Sequence, residues 1–118
     1  MEQVIQSQLA NYGMDLSETV ARFGGNETVM LHFLKNFPED QTIITLREAM
    51  ASGSRDTLKM AVHSLKGLSG NLGLTPLFEA ASVMMNTLRA NESADVQMQY
   101  KALENAYQAT LDMLATLH

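Results

Sequence analysis

The chain has 118 residues and a formal net charge of −5, which gives enough sequence for one domain. The acidic balance argues against nucleic acid as a partner, because binding to a phosphate backbone requires basic surface. The chain has no cysteine, which excludes disulfides and suits a reducing cytoplasm, and no apolar run long enough to span a membrane. We expect residues 1–118 to form a single domain. The initial Met1 favours a complete small protein over an excised module.

The first thirty residues predict short helices. Asp15 is a suitable N-cap for one of them, which should end at Gly24-Gly25, and Asn26 is a suitable N-cap for the next. Before Asp15, three apolar residues favour a short leading helix or an ordered arm: Val4, Ile5 and Leu9.

A longer apolar pattern crosses Pro38. Proline disrupts a helix because it lacks an N–H group and clashes with the preceding turn. We therefore expect one bent helix, with two separate helices as the alternative. The apolar positions before the proline are Val29, Met30, Phe33, Leu34 and Phe37, and those after it are Ile44, Leu46 and Met50.

The central segment predicts an amphipathic helix that is capped by Ser54 and ended by Gly73. Its apolar residues recur at spacings of three and four, which defines one buried stripe. The members of this stripe are Leu58, Ala61, Val62, Leu65, Leu68, Ser69 and Leu72.

Two further helices complete the chain. Thr75 followed by Pro76 predicts the start of the first, and Ser93 is the expected N-cap of the second. No run alternates with a period of two over a length that favours a sheet. Four substantial helices joined by short loops predict an all-α fold, an antiparallel four-helix bundle with one or two short additional N-terminal helices.

His63 lies about 150° from the middle of the buried stripe on a helical wheel, so it should face solvent. Within about 60° of it lie Lys59, Lys66, Gly67 and Gly70. A glycine inside a helix costs about 1 kcal/mol relative to alanine, and folding does not require two of them on an exposed face. Bare backbone beside this histidine indicates that something large approaches the imidazole.

An imidazole titrates close to neutrality, so an exposed ring offers a free nitrogen lone pair for much of the time near pH 7. Such a nitrogen can accept a phosphoryl group, a reaction that depends mainly on positioning and charge neutralisation. Lys66, one turn from His63, could place its ammonium group beside the phosphate, and Lys59 could add to the positive electrostatic potential there. An H-x-x-K pair alone is a weak signal, since most surface histidines are simply solvated.

The combination of residues is more specific than the pair. The sequence His63-Ser64-Leu65-Lys66-Gly67, followed by Gly73, resembles the H-x-L-K-G signature of histidine-containing phosphotransfer (HPt) domains. The upstream segment Arg22-Phe23-Gly24-Gly25-Asn26 and Phe37 are similar to that family as well. The resemblance extends from about Leu16 to Leu88.

This resemblance implies a role for each residue of the motif. His63 would be the phosphorylated residue, and Lys66 would be the cation beside the phosphate. Gly67 and Gly70 would be the small positions that admit a partner. Gly73 would end the helix or allow a neighbouring segment to pack closely.

The facing helix departs from the family pattern. Many HPt domains have Glu or Gln twenty-two residues after the histidine, where it can orient the imidazole, and here that residue is Met85. Because a thioether is a poor acceptor, orientation of the ring would have to come from Ser82, Asn86, a water molecule or nothing fixed.

By resemblance, the chain is a phosphocarrier between the receiver-domain aspartates of a sensor kinase and of a response regulator. It would work in the cytoplasm as a monomer without a cofactor, because Mg²⁺ would bind to the partner receiver domain. No nucleotide-binding loop predicts an ATP-using enzyme. The alternative is a helical-bundle adaptor that binds partners without phosphotransfer.

Metal and serine-nucleophile sites are disfavoured. The three histidines are far apart in the sequence, no H-x-x-x-H pair occurs, and neither Ser64 nor Ser69 has a triad context. The histidines are His32, His63 and His118.

Overall fold

The computed structural model describes residues 1–117, and His118 lies outside the described residues. No strand occurs within residues 1–117. The elements are α1 (Gln3–Tyr12), α2 (Leu16–Arg22), α3 (Glu27–Asn36), a 3-10 turn (Phe37–Glu39), α4 (Thr42–Ser52), α5 (Arg55–Asn71), α6 (Thr75–Ala90) and α7 (Gln97–Leu114).

The long helices form a bundle in which α5 packs between α4 and α6, and α7 packs against α6 and α1. Only three residues join α5 to α6, so the two helices run antiparallel. The helices α1 and α2 are the short additional ones. The predicted all-α bundle with one or two short N-terminal helices is therefore confirmed. No helix of the described part of the chain is both long and apolar enough to cross a membrane.

Two of the helix starts, those of α2 and α3, have a side-chain N-cap. Asp15 and Asn26 each accept a hydrogen bond at 3.0 Å from the backbone N–H three residues further on, as predicted. Ser54 occupies the N-cap position of α5, but its hydroxyl donates to Thr57 Oγ1 at 3.0 Å and caps no backbone N–H.

The last two helices start at positions other than those predicted. The N-cap of α6 is Leu74, one residue before the predicted Thr75. The predicted cap Ser93 is wrong, because α7 begins at Gln97, whose N–H donates to Asp95 Oδ1 at 2.9 Å. Ser93 instead belongs to the preceding turn.

Pro38 separates α3 from α4, so the expectation of one bent helix is wrong and the alternative of two helices is correct. The proline lies in the 3-10 turn. Asp40 then supports the start of α4 by accepting a hydrogen bond from Thr42 N–H at 2.9 Å. Because α4 is a separate helix, the residues of α4 that face the core differ from those predicted. Ile43 is buried in α4, whereas the predicted core residue Ile44 is 43% exposed.

The apolar stripe of α3 is also narrower than predicted. Met30 and Leu34 are buried, but Val29 is 38% exposed and Phe33 is 51% exposed. Only one side of α3 therefore meets the core.

Polar contacts connect α4 to α7. Arg47 donates from Nε and Nη2 to the two carboxylate oxygens of Glu104, both at 2.8 Å, and Tyr100 donates to the same carboxylate at 2.7 Å. Hydrogen bonding from Arg47 is the main reason that the pKa of Glu104 lies below its usual value.

The turn between α6 and α7 is held against the start of α5. Arg55 donates from Nη2 to the carbonyl oxygen of Asn91 at 2.7 Å and from Nη1 to that of Ala94 at 2.8 Å. Asn91 Oδ1 also accepts from Ser93 N–H at 2.9 Å within the turn. Arg55 therefore fixes the backbone on both sides of Glu92.

The turn between α5 and α6 depends on Gly73, which has a φ of +69°. Leu74 N–H donates to Ser69 O at 2.9 Å and Gly73 N–H donates to Gly70 O at 3.3 Å, which is the Schellman arrangement that ends a helix. A Cβ on Gly73 would collide with Thr19 Oγ1 of α2. The residue thus both ends α5 and lets α2 approach.

We predict that Gly73→Ala destabilises the protein by about 3 kcal/mol, because it combines a strained backbone with a collision. Gly53→Ala is the matched control, since Gly53 has a φ of +71° but open space around it, and it should cost only about 1 kcal/mol. Chemical denaturation measures both values. Equal losses of stability would show that the close approach of Thr19 has no energetic importance.

Candidate functional site

His63 lies near the middle of α5 with its side chain exposed. The opposite side of the helix is buried through Leu58, Ala61, Val62, Leu65 and Ser69. The polar member of this set is satisfied internally, because Ser69 Oγ donates to Leu65 O at 2.7 Å. Burial of one face of α5 therefore presents the imidazole to solvent, as the helical wheel indicates.

The two lysines near His63 have different surroundings. Lys66 is half-buried, and within residues 1–117 no carboxylate forms an ion pair with it. Lys59 Nζ lies 3.6 Å from Glu92 Oε1 in the turn between α6 and α7. Lys66 thus offers a free cation beside the imidazole, whereas the charge of Lys59 is partly offset.

The two glycines near His63 also differ. A Cβ on Gly67 would have nothing within 4 Å, so this position is open. A Cβ on Gly70 would lie 3.0 Å from Cδ1 of Phe78 in α6, and Gly70 O accepts from Arg22 Nη1 at 2.9 Å. The expectation that both glycines present bare backbone is therefore corrected, because Phe78 packs over Gly70.

No protein group among residues 1–117 forms a hydrogen bond with the His63 imidazole. Met85 is 3% exposed and belongs to the core, and its thioether is a poor hydrogen-bond acceptor. The Ser82 hydroxyl donates to Phe78 O at 2.8 Å within its own helix. Asn86 is exposed and forms no hydrogen bond to the ring in the described structure.

An uncharged groove of about 310 Å³ borders the site between α4 and α5. Met60, one turn before His63, is 72% exposed at its edge. The groove is lined by Thr42, Thr45, Thr57, Met60, Ala61 and Ser64. Together with the open backbone at Gly67, the groove offers uncharged surface near the imidazole that another macromolecule could cover.

The described residues contain no group of three His, Cys, Asp or Glu side chains placed to hold a metal ion. His118, the third histidine, is outside the described residues. The chemistry available at His63 is that of an exposed nitrogen nucleophile beside the ammonium group of Lys66, which is unpaired within the described part of the chain.

His32 is a second exposed histidine, and the sequence His32-Phe33-Leu34-Lys35 repeats the H-x-L-K spacing. Its surroundings differ from those of His63. His32 Nε2 forms a hydrogen bond with Asn36 Nδ2 at 3.1 Å, and the centroid of the exposed Phe33 ring lies 5.9 Å from that of the imidazole, with the two ring planes at 78°. Asn36 thus stands where the other motif has Gly67.

The family model described as Hpt domain matches residues 29–115. Since this match covers most of the chain, the protein belongs to the Hpt domain family. Hpt domains are phosphocarrier modules rather than enzymes; they transfer phosphoryl groups on histidine in phosphorelays and interact with receiver domains. Searches of curated proteins and of solved structures gave no match.

Sequence reasoning missed three residues that shape this surface: Glu92, Arg55 and Phe78. The contact of Glu92 with Lys59 could have been found from the register of the antiparallel helices α5 and α6. If Met85 is level with His63, then Arg89 is level with Lys59, and the turn that carries Glu92 follows one helical turn later. Nothing in the sequence showed that Arg55 would fix that turn.

Proposed function

We propose that His63 accepts a phosphoryl group from the aspartyl phosphate of one receiver domain and passes it to the aspartate of another. The two receivers would belong to a sensor kinase and to a response regulator. The observation that carries this proposal is the exposed imidazole at the middle of α5, next to the ammonium group of Lys66, which has no ion-pair partner among residues 1–117.

The transfer needs no other reactant. A lone pair on a ring nitrogen of His63 attacks phosphorus, an N–P bond forms, and the P–O bond to the receiver aspartate breaks. The aspartate leaves as a carboxylate, and the second receiver reverses these events. Lys66 offsets charge on the phosphoryl oxygens, while Mg²⁺ is assigned to the receiver domain and this chain supplies no cofactor.

The difference between the two histidines supports His63 rather than His32. A receiver must bring the phosphorus of its aspartyl phosphate within about 3–3.5 Å of the reacting nitrogen, so the backbone beside the ring must be accessible. Gly67 leaves that space open. At His32, Asn36 engages the ring nitrogen and Phe33 projects beside it.

An adaptor that binds partners without phosphotransfer would also use exposed helix faces. It gives no reason for an open glycine within α5, where alanine would favour the helix. The phosphocarrier accounts for that glycine, and we propose that it acts as a monomer in the cytoplasm, where its acidic, cysteine-free sequence suits a reducing environment.

We predict that His63→Gln abolishes acceptance of label from a phosphorylated receiver domain, because the nucleophile is lost while the fold is kept. The product in the wild type should be acid-labile and base-stable, as expected for an N–P bond. His32→Gln is the matched control and should accept label at the wild-type rate. Label on the His63→Gln variant would contradict the assignment.

Lys66→Gln should slow phosphotransfer about three- to tenfold, which corresponds to about 0.7–1.4 kcal/mol in the barrier. The physical reason is the loss of a positive charge beside the phosphoryl group. Rapid-quench measurement with one phosphorylated receiver gives the rate. Lys35→Gln, beside His32, is the control of equal charge, and a wild-type rate for Lys66→Gln would remove this residue from the mechanism.

Gly67→Ala should raise the free energy of unfolding by about 0.5–1 kcal/mol, since the new methyl group meets open space and alanine favours a helix. The same methyl group should slow transfer from a receiver severalfold by obstructing the approach. Asn105→Ala, on the exposed side of α7, improves helix propensity away from the site and should leave transfer unchanged. A Gly67→Ala variant that is more stable and equally fast would show that the open backbone is not needed.

A further inference from the structure

Glu92 holds an acidic group next to one of the two lysines of the His63 face. Its Oε1 lies 3.6 Å from Lys59 Nζ, and its side chain is 86% exposed. Glu92 is 33 positions after Lys59 in the sequence, so the contact depends on the fold.

The backbone of the turn that carries Glu92 is held by hydrogen bonds from Arg55. Arg55 donates to the carbonyl oxygens of Asn91 and Ala94, which flank Glu92 on both sides. Arg55 also lies one helical turn before Lys59 in α5. Helix α5 therefore contributes both Arg55, which holds the turn that carries Glu92, and Lys59, which pairs with the Glu92 carboxylate.

Lys59 is also one helical turn before His63, and residues four apart on a helix face each other with Cβ atoms about 5–6 Å apart. A phosphoryl group on His63 would carry nearly two negative charges and would attract the Lys59 ammonium group. Glu92 competes for that ammonium group, because its carboxylate lies 3.6 Å from Lys59 Nζ.

We propose that Glu92 is a positioning residue that keeps Lys59 from fully stabilising a phosphoryl group on His63. This inference rests on the function proposed above and adds regulation of the same site. Lys66 holds the phosphate, and the ion pair at Lys59 limits further stabilisation, so that the phosphoryl group is readily passed on. A phosphocarrier that bound its phosphate too tightly would retain it instead of transferring it.

The first test measures how label distributes at equilibrium between a receiver aspartate and His63 at low ionic strength. Glu92→Gln should raise the ratio of phosphohistidine to phosphoaspartate about two- to fivefold, the range expected for an exposed ion pair. Lys59→Gln should lower this ratio. In the Lys59→Gln background, Glu92→Gln should have little further effect, because its main target is gone.

Asp112→Asn is the matched control. It makes the same change in net charge on α7, which packs mainly against α6 and α1, and it should leave the ratio unchanged. The effect of Glu92→Gln should vanish near 1 M salt, where the Debye length is about 3 Å. An unchanged or lower ratio in Glu92→Gln, or an equal effect in the Lys59→Gln background, would overturn the inference.

A second measurement separates this inference from the proposed function. Phosphoramidate can label His63 without a receiver, and ³¹P NMR can follow the titration of the phosphohistidine. Loss of a nearby negative charge in Glu92→Gln should lower the titration midpoint by about 0.3–0.7 pH units, equivalent to the same two- to fivefold change. A shift without any labelling by receivers would refute the transfer function alone, whereas labelling by receivers without a shift would refute the role of Glu92 alone.

Discussion

Burial of one side of α5 between α4 and α6 is the constraint on which the site depends. Leu58, Val62 and Leu65 are almost completely buried, so the rotation of the helix about its axis is fixed. With this rotation fixed, His63 must face solvent, and Lys66 must lie one turn away on the same side. The core thus positions the nucleophile without any hydrogen bond to the imidazole from residues 1–117.

The ends of α5 matter as much as its middle. At the C-terminal end, Gly73 lets the chain reverse into α6 within three residues and lets Thr19 approach. At the N-terminal end, Arg55 holds the turn between α6 and α7. These contacts set the register of α6 against α5, which places Phe78 over Gly70 and brings Glu92 to Lys59.

The charges around His63 are arranged unequally although the sequence places a lysine on each side. Lys66 has no carboxylate partner in the described part of the chain, and Lys59 has one. The groove beside the ring is lined only by uncharged residues. A partner that covers this groove would therefore meet no charged side chain in its lining.

The amino-acid sequence by itself determined the helical class, the exposure of His63 and the spacing of Lys66 and Gly67, because these follow from helical periodicity within one segment. It also predicted the caps at Asp15 and Asn26, which are local hydrogen bonds. Only the tertiary structure decided that Pro38 separates two helices, since a bend and a break satisfy the same apolar pattern. Contacts between distant segments were likewise decided by packing: the burial of Met85, the ring of Phe78 over Gly70 and the pairing of Glu92 with Lys59 depend on helix register, which no single segment encodes.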